Sequence, residues 1–265
     1  MPWFEIQNKV TSSPSVPVYP FSTATDEQIT DMLEAVRDGD LTVSDLGWSV
    51  GDKRSVHLSA MEGLNGDYED QPAQDKTLVI LDTANVYDLV GGGKNLFVIG
   101  IEENLDVAGA FYDQTTNGNS YTYSARRTWL DNVFKPALPA EVQKWFKTFN
   151  YVVSDGSTHT SVSTISNFFT LPSVSEVFGN ENEYFDTLRP EGEKTKQLEY
   201  YKTDSNRVKT PARGQYSNNI RSFQLRSPYV MDDSSFCVAS FSGGSVFVST
   251  EYDDGDYGLS PFGCV

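Results

Sequence analysis

Basic residues, cysteine and histidine are all scarce in this chain, and each shortage removes a class of function. Twenty Lys and Arg stand against 37 Asp and Glu, a formal net charge of −17 over 265 residues. A nucleic-acid groove or a patch for anionic lipid needs concentrated positive charge. No stretch supplies it, so neither nucleic acid nor membrane is expected as a partner, and solubility is the default meaning of the acidity. The two cysteines, Cys237 and Cys264, form no CxxC pair, and the two histidines, His57 and His159, have no ligand spacing with them. A zinc site is therefore not expected. Both cysteines sit in apolar, strand-like contexts, which favours buried free thiols over a disulfide. No apolar run approaches the ~18 residues of a membrane span. Met1-Pro2-Trp3-Phe4-Glu5 has neither a basic n-region nor an apolar h-region, so a secretory signal is not expected there. No GxSxG elbow occurs, and Gly91-Gly92-Gly93-Lys94 lacks the spacing of a phosphate loop. His57, alternating within Val56-His57-Leu58, reads as a solvent-facing strand residue, and His159 as part of a Ser/Thr-rich loop. With so few candidate bases, no catalytic residue is assigned.

What the chain does have is core material: 38% hydrophobic and 13% aromatic residues, with 16 Phe and 14 Tyr. Residues 1–21, with Pro2, Pro14, Pro17 and Pro20, read as an extended arm whose Trp3, Phe4, Ile6, Tyr19 and Phe21 lie against something. Ile29, Met32, Leu33 and Val36 fall at i, i+3, i+4, i+7 and predict a helix over 26–38, boxed by Thr25 and Gln28 and ended by Gly39. Residues 1–45 are accordingly read as an N-terminal arm and helix serving attachment, and 46–265 as one further domain. Trp48-Ser49-Val50-Gly51-Asp52 makes a turn into a strand over 55–58, and apolar strands follow at 77–81 and 96–101. Helices are expected over 125–134, capped by Ser124, and from Pro139 to Phe149, where Val142, Trp145, Phe146 and Phe149 form a second stripe for core packing. Strands are expected at 151–153, 168–171, 237–240 and 245–250, the last two joined as a hairpin at Gly243-Gly244. The polar stretch 180–219 reads as a surface excursion, with some helix within 184–201.

Several short motifs occur in a fixed order. They are Trp48-Ser49-Val50-Gly51-Asp52, Arg127-Thr128-Trp129-Leu130, Ala137-Leu138-Pro139 and Leu171-Pro172-Ser173-Val174-Ser175-Glu176-Val177-Phe178-Gly179. They continue with Phe223-Gln224-Leu225-Arg226-Ser227-Pro228, Phe236-Cys237-Val238, Gly244, Gly258, Pro261 and Phe262. Together, over about residues 46–265, they resemble a bacteriophage and prophage domain family of unknown biochemical function. That family ends in a Leu-Arg-Ser-Pro motif and a closing Gly-x-x-Pro, and looks related to the C-type-lectin-like fold shared with formylglycine-generating enzymes. Here Pro261-Phe262-Gly263-Cys264 departs from the usual closing order, and the reactive cysteine pair of the enzymes of that fold is not matched. The resemblance implies an α+β, C-type-lectin-like domain with a small antiparallel sheet, flanking helices and long loops.

It also implies a function. The domain would be a phage virion-surface or tail-associated binding protein, made in the bacterial cytoplasm and carried on the particle. Its C-terminal face would recognise a host-surface or mucosal ligand, a glycan or a protein. In some phages such terminal segments are targets of diversity-generating retroelements. Trp48, Trp129, Glu176, Arg226, Pro228, Gly258 and Pro261 would be structural, with the Arg226 guanidinium tying backbone carbonyls or a carboxylate such as Glu176. The ligand-binding candidates are Tyr229, Met231, Asp232, Asp233, Ser234, Phe241, Tyr252, Asp253, Asp254, Asp256 and Tyr257. Tyr and Asp among Ser and Gly are paratope-like, since Tyr offers large contact area at small entropic cost. Ordinary loop composition is the competing reading. The acidic run from Glu251 to Asp256 has the oxygen ligands calcium takes, without EF-hand spacing; a solvated loop is preferred and no cofactor is assigned. The alternative functions are a structural decoration or assembly protein, docked to other virion proteins or to its own copies through the arm, and, behind it, an enzyme of the same fold.

Overall fold

A computed structural model of the chain describes residues 16–63, 70–105, 121–154, 162–179, 196–209, 222–228, 235–239, 246–250 and 258–265. Helix α1 spans Asp26–Asp38. It opens on a reciprocal Thr25–Gln28 capping box, which satisfies two otherwise orphaned N–H groups, and closes at Gly39 with φ 84°. Its Ile29, Met32 and Leu33 are fully buried, in the same hydrophobic cluster as the sheets. The helix lies against α4 (Ala140–Trp145), where the Trp145 indole N–H donates to Thr30 Oγ1 at 3.0 Å.

Mixed α and β structure with small antiparallel sheets surrounds this core. The largest sheet has the order β1 (Lys53–Leu58), β2 (Gln74–Asp82), β4 (Val98–Ile101), β11 (Phe262–Cys264), β7 (Phe169–Thr170). A second joins β3 (Asp88–Leu89), β5 (Phe149–Ser154) and β6 (Val162–Asn167), and a third joins β10 (Val246–Thr250), β9 (Ser235–Ala239) and β8 (Phe223–Pro228). All pairings between these strands are antiparallel. His57 lies exposed on β1, its Nδ1 2.8 Å from Asp75. The expected β9–β10 hairpin pairs in register from Ala239↔Val246 to Ser235↔Thr250.

Strand β11 lies inside the largest sheet, between β4 and β7. Gly263 pairs with Ile99 on one side and Phe169 on the other. A Cβ at Gly263 would stand 2.6 Å from Phe146 Cδ1 and 2.7 Å from the Phe168 carbonyl oxygen. The backbone oxygen cannot swing aside, so only glycine fits. Gly263→Ala is expected to cost about 2–3 kcal/mol of stability, read as a lowered urea midpoint; an unchanged midpoint would contradict this close approach.

Three expectations change. The helix predicted from Pro139 to Phe149 stops at Trp145; Phe146 is extended (φ −78°, ψ 136°) and Phe149 opens β5. Val142, Trp145, Phe146 and Phe149 are all buried. Their spacing therefore reports burial, which a short helix followed by a strand meets as well as a longer helix. The preceding helix begins as expected at Ser124, whose Oγ accepts from Arg126 N. It then runs as α2 (Ala125–Trp129), a π turn (Leu130–Phe134) and α3 (Lys135–Ala137), reaching the extended Leu138 before Pro139. Finally, residues 196–209, within the expected surface excursion, bury Leu198, Tyr200, Tyr201 and Lys209.

Candidate functional site

The candidate site is organised around β8, whose six residues are all buried. Its Arg226 meets the N-terminus of α5 (Val174–Phe178), a short helix opened by a Ser173–Glu176 capping box. The box turns the Glu176 side chain back toward the start of the helix, where Ser173 N–H donates to Oε2 at 2.8 Å. Arg226 approaches the same carboxylate as a fork, Nη1 donating to Oε2 and Nη2 to Oε1, each at 2.6 Å. Nη1 also donates to the Leu171 carbonyl at 2.7 Å, and the Arg226 backbone N–H to the Pro172 carbonyl at 2.9 Å. Neither charged side chain has any exposure. Taking both out of water is costly, and only bidentate geometry with further hydrogen bonds offsets it. Those further bonds are present: the Tyr87 hydroxyl donates to Glu176 Oε1 at 2.5 Å, and the Arg226 guanidinium lies 5.1 Å over the Tyr151 ring. Burial, and then the neighbouring carboxylate, hold the Tyr87 hydroxyl well above its usual pKa, so it remains a donor. The same two causes raise the Cys264 thiol, which is free, buried and a poor nucleophile. Cys237 is likewise a buried thiol outside any disulfide.

Beyond this rivet the chain leaves β8 for 229–234. Pro228 pairs with Phe236, and Ser235 with Thr250, so the residues flanking 229–234 and the start of 251–257 share one end of the third sheet. The opposite end holds Ala239 and Val246, which flank 240–245, and Gly258, which closes 251–257 through a parallel bridge to Phe223. The eleven ligand-binding candidates, Tyr229, Met231, Asp232, Asp233, Ser234, Phe241, Tyr252, Asp253, Asp254, Asp256 and Tyr257, lie outside the described residues, as do the arm residues 1–15, His159 and Gly243-Gly244.

The residues expected to be structural are distributed through the core. Trp48 donates its indole N–H to the Tyr19 carbonyl at 2.9 Å and packs between Phe21 and Phe97. Trp129 donates to the Glu62 carbonyl at 3.0 Å. Pro228 is buried at the end of β8, and the Pro261 carbonyl accepts from Ile101 N–H at 3.0 Å. Gly258 exchanges backbone bonds with Ser222 and Gln224, and a Cβ there would stand 2.3 Å from Asn104.

Sequence reasoning missed two residues. Tyr87 completes the Glu176 network from a loop with no motif of its own. Lys209 is 1% exposed, its Nζ between 5.3 and 5.8 Å from the rings of Tyr200, Tyr201 and Phe223 and 3.4 Å from the Ile101 carbonyl. Burial, only partly opposed by Glu102 and Glu103, pushes its pKa down to about 7. The one signal for this cluster is Leu198-x-Tyr200-Tyr201, an apolar spike inside an otherwise polar stretch. Among the described residues no group of three or more His, Cys, Asp or Glu is placed to hold a metal, and no helix is long and apolar enough to cross a membrane.

Residues 94–264, from the approach to β4 to the end of β11, match the family described as Domain of unknown function (DUF6273). No curated protein and no solved structure matches the chain significantly.

Proposed function

The chain belongs to the DUF6273 family, and on that premise we propose that it is a binding protein with a C-type-lectin-like architecture, carried on a phage particle. Segments 229–234 and 251–257 would present Tyr229, Tyr252 and Tyr257, among aspartates, to a host-surface or mucosal ligand. The observation behind this reading is the Arg226–Glu176 rivet two residues before Pro228. A fully buried, bidentate ion pair fixes the strand that feeds the first segment, at the sheet end where the second begins. Binding surfaces gain affinity when the elements that carry them are ordered beforehand. The acidic, tyrosine-rich composition suits a glycan or a protein with a basic patch. Decoration through the arm and an enzyme of the same fold have less support, since no feature of the described residues favours either.

A glycan array and a pull-down on host envelope test the proposal. Replacing Tyr229, Tyr252 and Tyr257 together with Ala is expected to weaken binding by at least about a hundredfold, as for a cluster of aromatic hot spots. The thermal unfolding of the variant should stay near that of the wild type. Unchanged binding would remove the display reading.

A further inference from the structure

A cleft of about 370 Å³ opens between β5 and residues 84–88, lined by none of the residues around the Arg226–Glu176 pair except Tyr87 and Tyr151. One wall is an unfinished sheet edge. In an antiparallel ladder, alternate residues turn both N–H and C=O toward the same neighbour. Val90 N–H donates to the Thr148 carbonyl at 2.8 Å and Asp88 pairs with Asn150, so residues 148, 150 and 152 face β3, while 149, 151 and 153 face β6. β3 ends at Asp88 because Val86 N–H turns to the Ala84 carbonyl, at 2.9 Å, instead of continuing the ladder. Among the described residues nothing meets the N–H and C=O of Val152 on this side, and Val152 lines the cleft.

The rim carries a cation with donors to spare. Lys196 Nζ lies 3.1 Å from Asp82, and the lysine side chain is 47% exposed. Asp82 is buried and already accepts the N–H groups of Ala84 at 2.8 Å and Glu199 at 3.1 Å. At the other side of the cleft Asp88 is exposed and paired with Lys94 at 2.8 Å, which disfavours a second negative group there. A ligand that fits has a neighbouring donor and acceptor for Val152, a neutral body, and one carboxylate for Lys196.

We infer that the cleft binds the carboxyl end of an extended peptide. One peptide residue continues the ladder on Val152, and the terminal carboxylate meets Lys196. The probe is N-acetyl-alanyl-alanine as the free acid, compared with its C-terminal amide, titrated into the full chain at up to roughly millimolar concentration and followed in amide NMR spectra. The free acid is expected to shift the Val152 amide and to bind about tenfold more tightly than the amide form, the worth of one charge-assisted hydrogen bond. Lys196→Met should abolish that preference. Val152→Pro removes the outward donor yet leaves the ladder bonds of Tyr151 and Val153 to β6, so it should abolish binding with the β6 amide signals in place. Equal affinity for acid and amide, no shift at Val152, or wild-type binding by Val152→Pro would each overturn the inference. If the proline variant does not fold, Lys196→Met, at a half-exposed position, still decides the matter.

Discussion

Arg226→Met is expected to destabilise the protein by about 3–5 kcal/mol, the usual consequence of leaving one member of a buried ion pair alone. The variant strands the Glu176 carboxylate, which has no exposure and retains only Ser173 N–H and the Tyr87 hydroxyl as donors. Glu176→Gln should be costly too, since it leaves a buried guanidinium facing a neutral amide. The double variant removes both charges, and its cost should fall below the sum of the two by a coupling on the order of 2 kcal/mol. Urea unfolding of the four proteins measures that coupling directly. Costs that add within about 0.5 kcal/mol would mean that the pair does not act as a unit. The same variants bear on binding. With β8 no longer held, the segments it feeds should lose affinity for ligand before the fold as a whole is lost, which the pull-down can detect below the unfolding midpoint.

Lys209 should make stability rise with pH through neutrality. Its ammonium titrates at the ordinary lysine value of 10.5 in the unfolded chain and at about 7 in the fold. Between those values the unfolded chain holds a proton that the native protein has released. The contribution therefore grows as pH rises from about 7 and is lost as pH falls back; below 7 both states are protonated and the dependence vanishes. From pH 6 to pH 9 the gain is about 2.5 kcal/mol. Above pH 10 the sign reverses, because burial raises the hydroxyls of Tyr87, Tyr121, Tyr151, Tyr200 and Tyr201, and the unfolded chain gives up those protons first. Stability should peak near about pH 9. Lys209→Met keeps the volume and the contacts with Tyr201 and Phe223 but carries no charge. Its urea midpoint should exceed that of the wild type at pH 6, with the gap closing by pH 9. Parallel curves for the two proteins would show that Lys209 does not titrate in this range.

Local signals carried the outer parts of this fold well. The Thr25–Gln28 box and Gly39 mark α1 to the residue because capping is a matter of neighbours in the chain. The alternation around His57 likewise places it on the open face of β1. The second stripe misled for an equally physical reason: Phe149 is buried on β5, and burial alone does not distinguish a helix from a strand. Of the candidate site, Arg226 and Glu176 were legible as a pair since each lies in a recognisable motif. Tyr87, from a loop 89 residues before Glu176, had no signal. Lys209 looked like one more polar residue in a polar run.

By itself the sequence determined what depends on composition and on neighbours: an acidic chain with few basic residues and a real core, no metal-ligand spacing among its cysteines and histidines, capped helices and a C-terminal hairpin. Only tertiary structure decided which distant groups share one dry interior. It put β11 inside the largest sheet, between β4 and β7, which come from much earlier in the chain, closed Tyr87 and Arg226 on one carboxylate, and enclosed an amine among three aromatic rings. The reason lies in the range of the forces. Capping and turn chemistry act within a few residues, whereas the cost of burying a charge is set by whatever the whole chain brings around it.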